Sequence, residues 1–202
     1  DESHVTFPLN PYGNTKLFVE NILRDWEKTG CDRKAIALRY FNPVGAHPTG
    51  LIGEDPTFGT TNLMPVLTSV VSGRLEQFPV YGNDYATRDG TGERDYIHVM
   101  DVASAHSASV NEIDKIADFE AINIGNGEGI TVLEIINMLE SVSGKKIKLD
   151  FQKRRNGDLG SCWTSNNKAK ELLNWEPSRQ LIDMCLDTLR WTAENPKGYK
   201  LK

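Results

Sequence analysis

The sequence predicts an α/β fold, in which helices pack against a mainly parallel β-sheet. After Pro11, apolar residues recur at helical spacing from residue 17 to residue 26, and Gly30 ends the pattern. The segment 35–41 is a mostly apolar run typical of a buried parallel strand, and a loop rich in Pro and Gly follows it. A helix followed by a buried strand indicates an α/β layer structure.

The rest of the chain continues this alternation, without internal repeats or low-complexity tracts. Further helices are predicted at about residues 63–72, 101–113, 131–142, 167–173 and 181–194. Further strands are predicted at about residues 78–81, 95–99, 121–124 and 147–151, with a polar Gly-rich loop at 82–92.

The composition argues against several classes of function. A net charge of −5 over 202 residues leaves no clustered excess of Lys and Arg for binding nucleic acid. No apolar run approaches the roughly 20 residues that span a bilayer, so we expect no membrane association. Cys31, Cys162 and Cys185 are far apart, and the four histidines lack ligand spacing. We therefore expect a cytoplasmic protein without a metal site.

One loop comes close to a dinucleotide-binding turn. The segment INIGNGEGITVLEII, residues 122–136, follows a predicted strand and opens a helix, and Asp150 comes about 20 residues later. The fingerprint, however, needs its third glycine where Ile130 stands, because Gly129 is one place early. The favoured interpretation is a tight turn and a helix start, with Thr131 as the N-cap and Glu134 completing a capping box.

Tyr12 and Lys16 stand four residues apart at the start of the first helix, on one face. Hydride transfer from an alcohol carbon uses such a pair, since the hydroxyl proton must leave with the hydride. A free phenol has a pKa of about 10, and a lysine charge near 4 Å offsets this by up to about 4 kcal/mol. A buried tyrosine beside a snorkelling lysine is the alternative, and this spacing alone does not decide between them.

Longer motifs carry a resemblance. PYGNTK, LRYFNPVGAHPTGLIGEDP, NLMP, GNDYATRDGTGERDYIHVMDVA and RRNGDL occur in this order, and the chain resembles the UDP-galactose 4-epimerase family (UDP-glucose 4-epimerase) from about Asn10 to its C-terminus. That family belongs to the extended short-chain dehydrogenase/reductase superfamily. The resemblance implies the C-terminal part of a doubly wound, Rossmann-type parallel sheet with a smaller α/β substrate-binding domain. Residues 1–44 would complete the NAD-binding domain, and 45–202 would mainly bind the nucleotide sugar.

The resemblance also implies a mechanism with NAD as cofactor. Tyr12 would take the proton from the sugar 4-hydroxyl while NAD takes the hydride from C4. The 4-keto sugar would then swing and receive the hydride on its other face, which interconverts UDP-galactose and UDP-glucose in galactose metabolism. Lys16 would hold the nicotinamide ribose, and Tyr40 would lie beside the nicotinamide. A sugar that swings in this way needs loose contacts to the hexose and firm contacts to the nucleotide.

The same resemblance assigns residues to the substrate. They are Phe41, Asn42, Asn62, Leu63, Pro79, Tyr81, Arg94, Arg155, Asp158 and Cys162. Arg94 and Arg155 would clamp the diphosphate with forked donors, and Asp158 would accept from the uridine ribose. Tyr81 with Pro79 would line the uracil, while the two asparagines and the backbone at residue 63 would bind the phosphate and sugar region. Taken singly, a surface pair of Arg94 with its neighbour and a turn role for Asp158 stay open.

Departures from the family pattern set further expectations. Cys162 stands where some relatives carry a tyrosine, which leaves volume for a 2-acetamido group and predicts turnover of UDP-N-acetylhexosamines. Thr61 stands where many relatives have a second asparagine. A Gly-rich loop that binds the NAD pyrophosphate, and a Ser or Thr shortly before Tyr12, are both missing. We therefore expect this polypeptide alone to bind NAD poorly and to epimerise little.

Two other functions stay open. A 4,6-dehydratase or decarboxylase of the same superfamily needs an additional acid or base beside the tyrosine, and Asn14 and Thr15 offer none. A non-catalytic nucleotide-sugar-binding module would keep the uridine contacts without hydride chemistry. As in the relatives, we expect the full-length protein to form a homodimer through the helix that carries Tyr12.

Overall fold

The computed structural model describes residues 1–30, 32–56, 59 and 62–199, so Cys31 and Thr61 lie outside the described residues. The helices in these ranges are α1 Pro11–Lys28, α2 Leu63–Val71, α3 Val99–Glu112, α4 Val132–Ser143, α5 Asn167–Leu173 and α6 Leu181–Glu194, with a short 3₁₀ helix at Ile113–Lys115. The strands are β1 Ala35–Tyr40, β2 Asn42–Val44, β3 Phe78–Tyr81, β4 Glu93–Arg94, β5 Tyr96–His98, β6 Phe119–Ile124, β7 Ile130–Thr131, β8 Leu149–Gln152 and β9 Ser161–Cys162.

The strand pairs are mainly parallel. β1 pairs with β6 from Ala35 opposite Phe119 to Tyr40 opposite Ile124, and β2 with β5 and β3 with β8 are also parallel. The short strand β4 pairs in parallel with β9 and antiparallel with β7. Parallel pairs require crossover connections, which here contain helices. The predicted α/β class is confirmed.

Helix α1 begins where the sequence predicts. The Asn10 side chain accepts a hydrogen bond from the Gly13 amide at 2.8 Å, and Pro11 occupies the first turn, where no amide donor is needed. Arg39 of β1 donates two hydrogen bonds to the Glu20 carboxylate, at 2.7 and 2.6 Å, and this forked pair ties α1 to the sheet.

The core consists of two clusters that meet at β5. Alternate side chains of a strand point to opposite faces, and accordingly Tyr96 belongs to one cluster and Ile97 to the other. The first cluster joins α2, β3, α4 and α6, and the second joins α3, β6 and α5. The division of the chain after residue 44 stays a prediction. β1, before this boundary, pairs with β6, after it.

Candidate active site

The chain passes from one parallel strand pair to the next directly after β1. The Phe41 amide donates to the Ile124 carbonyl at 3.0 Å, and the Asn42 amide donates to the Asp95 carbonyl at 3.0 Å. Tyr40 and Phe41 therefore lie at the carboxyl ends of the parallel strands β1 and β6, and Asn42 begins β2. Open α/β sheets bind their ligands at this edge.

Two adjoining cavities at this edge bring together most of the predicted site residues. Cavity A, of about 510 Å³, is lined by seven of the ten predicted substrate residues, namely Asn42, Leu63, Pro79, Tyr81, Arg94, Arg155 and Asp158. Cavity B, of about 410 Å³, adds Tyr40, Phe41 and Cys162. Asn42, Arg94 and Asp158 line both cavities, so the two cavities are immediate neighbours.

The two arginines of cavity A form no ion pair with the residues that the structure describes. The Arg155 guanidinium lies 3.7 Å from the centre of the Tyr81 ring, and Arg94 Nη1 donates to the Glu93 carbonyl at 2.8 Å. Within the described residues, neither arginine has a carboxylate at ion-pair distance. By contrast, the adjacent Arg154 pairs with Asp84 at 2.7 Å. Two uncompensated guanidinium groups in one cavity favour an anion with several oxygen atoms.

Asp95 is not the partner of Arg94, so the interpretation of these neighbours as a surface pair is wrong. Asp95 is fully buried, and its carboxylate accepts the backbone amides of Asn126, Gly127 and Thr164 at 2.6, 2.9 and 3.3 Å. Burial raises the pKa of this carboxyl group, and the amide hydrogen bonds oppose the shift. Arg94 is therefore left to face the cavities.

The hydrogen bonds of these amides test whether the segment 122–136 is a dinucleotide-binding turn. Asn126 and Gly127 direct their N–H groups at Asp95, so these donors are occupied by the protein and do not point at a phosphate. Thr131 caps α4, and the Glu134 side chain accepts the Thr131 amide at 2.8 Å in a complete capping box. The interpretation as a turn and helix start is confirmed, and the amides of Asn126 and Gly127 bind Asp95 in place of a pyrophosphate.

Asp158 and Asn62 occupy different positions relative to the cavities. Asp158 is exposed in the turn after Arg155, and no described side chain binds its carboxylate, which leaves the oxygens open toward both cavities. Asn62 lines neither cavity as the described residues define them. Its amide donates to Glu54 at 2.9 Å, and it is the N-cap of α2. A substrate role for Asn62 stays a prediction.

Tyr12 and Lys16 share one face of α1, as their spacing predicts. Lys16 Nζ lies 5.0 Å from the centre of the Tyr12 ring. Tyr12 is 71% exposed, so the alternative of a buried tyrosine beside a snorkelling lysine is wrong. Neither residue lines cavity A or cavity B as the described residues define them, and the catalytic role of the pair stays a prediction.

The direction of α1 places the pair near the edge that carries both cavities. The connection between α1 and β1 is short, so the helix runs antiparallel to the strand. Glu20 is held beside Arg39, one residue before the end of β1. Tyr12 lies about two helical turns, or about 12 Å, toward the N-terminus of α1. It therefore projects beyond the end of β1, on the side where Tyr40 leaves the strand.

The side chains at this end of α1 suit a nicotinamide nucleoside. Lys16 has no carboxylate within ion-pair distance in the part of the chain that the structure describes, so its ammonium donors are open to ribose hydroxyls. Tyr40 is 48% exposed at the mouth of cavity B, and its ring contacts His106 at 5.7 Å between centroids. An open cation, an open phenol and an exposed aromatic face are compatible with this group.

Several lining residues of cavity A were not predicted from the sequence. Tyr85, Tyr96 and Leu159 all contribute to its wall. Tyr96 is part of a buried strand and Leu159 follows Asp158, so neither carries a chemical signal of its own. Tyr85 lies within GNDYATRDG, one of the motifs that carried the resemblance, and its position there is the signal that could have identified it.

Residues 1–188 match the protein-family model described as GDP-mannose 4,6 dehydratase. The chain belongs to this family. Within it, the chain is 48% identical over 197 residues to the UDP-glucose 4-epimerase of Bacillus subtilis (strain 168), with 96% of this chain and 58% of that protein covered. The resemblance to UDP-glucose 4-epimerases is thereby confirmed, and the chain spans little more than half the length of such relatives.

Solved structures of family members confirm the Rossmann-type fold class. The UDP-glucose-4-epimerase from Stenotrophomonas maltophila, with bound NAD and formylated UDP-arabinopyranose, superposes with a TM-score of 0.93 at 42% identity, covering 97% of this chain and 58% of that one. The Bifidobacterium longum enzyme, in complex with NAD+ and UDP, gives a TM-score of 0.89 at 43% identity, with 94% and 56% covered.

Proposed function

We propose that this chain carries the nucleotide-sugar site and the catalytic helix of an NAD-dependent UDP-glucose 4-epimerase, an isomerase of galactose metabolism. The observation that carries the proposal is the pair of guanidinium groups, Arg94 and Arg155, which share cavity A without a carboxylate partner among the described residues. Relatives with this name are 44–48% identical to the chain, and two related structures hold NAD with a UDP compound or UDP.

In this proposal cavity A binds the UDP moiety. Arg94 and Arg155 hold the diphosphate with forked, charged donors, which bind such an anion more firmly than lysines. Tyr81 and Pro79 line the uracil, and the open carboxylate of Asp158 accepts from the ribose hydroxyls. Leu63, Asn42 and Asn62 serve the phosphate and sugar region. Leu63 is the first residue of α2, where the amides of the first turn lack helical acceptors.

Cavity B takes the hexose. It adjoins cavity A at Arg94 and Asp158, and Tyr40, Phe41 and Cys162 contribute to its wall. Of the charged residues that line this space, Arg39 is paired with Glu20, and Arg94 and Asp158 also line cavity A. The sugar is therefore tethered by its diphosphate and is free to turn. Firm binding of the part that does not react leaves the reacting part mobile. The small Cys162 side chain leaves room for a 2-acetamido group, so we include UDP-N-acetylgalactosamine and UDP-N-acetylglucosamine among the substrates.

Tyr12 is the proton acceptor and donor of the proposed reaction. The phenol oxygen takes the proton of the sugar 4-hydroxyl and later returns it. The Lys16 ammonium lies 5.0 Å from the centre of the Tyr12 ring, on the same side of the helix. Lys16 also binds the ribose of the nicotinamide nucleoside, with Tyr40 beside the ring. When bound, NAD supplies the hydride acceptor and donor, so that no net oxidation occurs.

A non-catalytic nucleotide-sugar-binding module is the second candidate. The 71% exposure of Tyr12, outside both cavities as described, favours this alternative, whereas the cavity residues of both proposals are the same. A 4,6-dehydratase is less well supported, because it needs an acid or base beside the tyrosine. Thr15 offers no such group, and its hydroxyl donates to the Tyr12 carbonyl at 2.7 Å.

One set of measurements separates these functions. The chain is incubated with UDP-galactose, with and without added NAD, and UDP-glucose is assayed, while calorimetry measures binding of UDP alone. We expect UDP to bind and any epimerisation to require NAD. NAD-dependent epimerisation contradicts the binding module, and loss of water from the sugar supports a dehydratase. Failure of the folded chain to bind UDP contradicts the proposed site.

We also propose a cytoplasmic homodimer that forms through α1. Phe18, Val19 and Ile22 of this helix are 63%, 53% and 64% exposed, and such apolar patches usually mark contact surfaces. None of the described helices has both the length and the apolar character needed to cross a bilayer.

A further inference from the structure

Two consecutive arginines after β8 serve different surfaces. Strands β3 and β8 pair in parallel, with Tyr81 opposite Gln152, so the segments that follow them leave the sheet side by side. The Arg155 guanidinium lies over the Tyr81 ring, and Arg155 lines cavity A. Arg154 lines neither cavity A nor cavity B as the described residues define them. Its guanidinium lies 4.1 Å from the ring centre of Tyr85. Arg154 is therefore directed at the protein, and Arg155 at the cavity.

Arg154 makes three contacts with the loop that follows β3. Its Nε donates to Asp84 Oδ1 at 2.7 Å, and its Nη2 donates to the Asp84 carbonyl oxygen. The third contact is the ring of Tyr85, which is only 8% exposed and so offers a fixed surface. A planar guanidinium that binds a carboxylate, a carbonyl and an aromatic face at the same time is held in one orientation.

The segment 153–159, which we call the clamp loop, is held by the backbone at its two ends. At the first end, the Gly82 amide donates to the Gln152 carbonyl at 2.9 Å. Just after the second end, the Glu93 amide donates to the Gly160 carbonyl at 2.8 Å. The clamp loop itself belongs to no helix or strand. The backbone therefore fixes where this loop starts and ends, and not where its middle lies.

The middle of the clamp loop carries two of the residues that we propose to bind UDP, Arg155 and Asp158. The Asp158 amide donates to the Arg155 carbonyl at 3.3 Å, so both belong to one turn. In the ranges that the structure describes, Arg154 is the one residue of the clamp loop with a hydrogen bond to another part of the chain. Its contacts with Asp84 and Tyr85 therefore set where this turn lies.

We propose that Arg154 is a positioning residue, which holds the clamp loop against Asp84 and Tyr85 so that Arg155 and Asp158 are in place before the nucleotide binds. Groups that are already ordered lose less side-chain and loop freedom on binding, and the affinity is correspondingly higher. The inference rests on the proposed function, because it takes a UDP compound as the occupant of cavity A.

The test removes each partner of the ion pair in turn. Calorimetry measures the affinity for UDP, and thermal unfolding without ligand measures stability. We expect UDP to bind about tenfold more weakly to Arg154→Ala, and about threefold more weakly to Asp84→Ala, which keeps the stack on Tyr85. The melting temperature should stay nearly the same, since the two side chains are 45% and 69% exposed and exposed ion pairs contribute little to stability.

The sign of the Asp84→Ala effect separates positioning from charge. Asp84 is an anion near a cavity that we propose to bind a diphosphate, so electrostatics alone predict that its removal strengthens UDP binding. Positioning predicts weaker binding. The variant with both Asp84→Ala and Arg154→Ala should bind UDP no more than about twofold more weakly than Arg154→Ala, because both changes break the same contact.

Lys153→Ala is the matched control for charge. It removes one positive charge from the same loop, at the residue next to Arg154, and Lys153 forms no ion pair or hydrogen bond with its side chain in the described part of the chain. We expect this variant to bind UDP within about twofold of the unaltered chain, because an exposed, unpaired charge holds nothing in place.

Three results overturn the inference without touching the proposed function. The first is UDP binding by Arg154→Ala as tight as by the unaltered chain, or no weaker than by Lys153→Ala. The second is unchanged or tighter UDP binding by Asp84→Ala. The third needs no variant and applies even if one misfolds: a structure of the UDP-bound chain in which Arg154 leaves Asp84 and binds the phosphates. If the folded, unaltered chain fails to bind UDP at all, the proposed function itself is contradicted.

Discussion

At the residue scale, the site depends on which charged side chains have no ion-pair partner among the described residues. Arg94 and Arg155 face the cavities. Their neighbours bind other parts of the protein: Arg154 forms an ion pair with Asp84, and Asp95 accepts hydrogen bonds from backbone amides. The sequence cannot distinguish these neighbours, because the motif offers each of them a similar local context. Pairing is decided by strands and loops that are distant along the chain.

Replacement of a cavity arginine by lysine should weaken nucleotide binding. Arg94→Lys or Arg155→Lys keeps the charge and removes the forked donors, so we expect UDP affinity to fall about 10- to 100-fold. Calorimetry with UDP measures the change. Arg24→Lys is the control, because Arg24 also stacks on an aromatic ring, that of Phe119 at 4.8 Å, and does not line either cavity. Equal losses in all three variants would contradict a specific diphosphate clamp.

The size of residue 162 should control access of N-acetylated sugars. Cys162→Tyr fills cavity B, and we expect the affinity for UDP-N-acetylglucosamine to fall at least tenfold relative to that for UDP-glucose. Cys162→Ser, which keeps the volume, should leave the ratio of the two affinities unchanged. Competition calorimetry with the two sugars gives this ratio. If the ratio of the two affinities is the same in Cys162→Tyr as in the unaltered chain, the role of residue 162 in sugar selection is contradicted.

At the element scale, the longer elements follow the predicted pattern closely. The bounds of β3, α5 and α6 agree with those predicted, and α1, β1, α2 and α4 differ by one or two residues at their ends. The short strands β2, β4, β7 and β9 were not predicted, because two or three residues show no periodicity. They exist through pairing with partners elsewhere in the chain, yet β4 and β9 carry Arg94 and Cys162 of the site.

The junction between β5 and α3 makes stability depend on pH. His98 is fully buried; its Nδ1 accepts the Met100 amide at 3.0 Å, and its Nε2 lies 3.2 Å from Asp187 Oδ2. Burial lowers the pKa of His98 below the ordinary value, and the nearby Arg179 lowers it further, against the opposing effect of Asp187. The folded chain therefore holds this imidazole neutral.

From this shift we expect stability to fall on acidification. The unfolded chain binds a proton at His98 near pH 6.5, before the folded chain does, so stability is full above that pH and is lost as the pH falls toward the folded pKa. The loss is at most about 1.4 kcal/mol per pH unit. Urea unfolding between pH 7.5 and 5.5 should show a smaller slope for His98→Asn, which keeps an N-cap acceptor, than for the control His106→Asn. An equal slope in both variants contradicts this account.

At the scale of the whole molecule, the chain encloses the proposed nucleotide-sugar site more fully than helix α1, which carries the proposed catalytic pair. The nucleotide cavities are built from β1 to β9 and the segments between them, and ten of their lining residues were predicted through the motifs. Helix α1 is amphipathic in sequence, and nevertheless none of its residues is fully buried. Periodicity predicts that such a helix has an apolar face, and it does not predict what covers that face.

The exposed face of α1 should make the chain self-associate. Phe18 and Ile22 lie one turn apart with more than 60% of their surface exposed, and Ile22→Asp places a charge at the centre of this face. We expect sedimentation to show concentration-dependent dimers for the unaltered chain and a shift of at least tenfold toward monomer for Ile22→Asp. Asn21→Asp is the matched control, since it adds the same charge on the adjacent residue and keeps an oxygen for the 3.0 Å bond from Arg24. A monomer at all concentrations, or equal dissociation by both variants, would show that this face is not the contact surface.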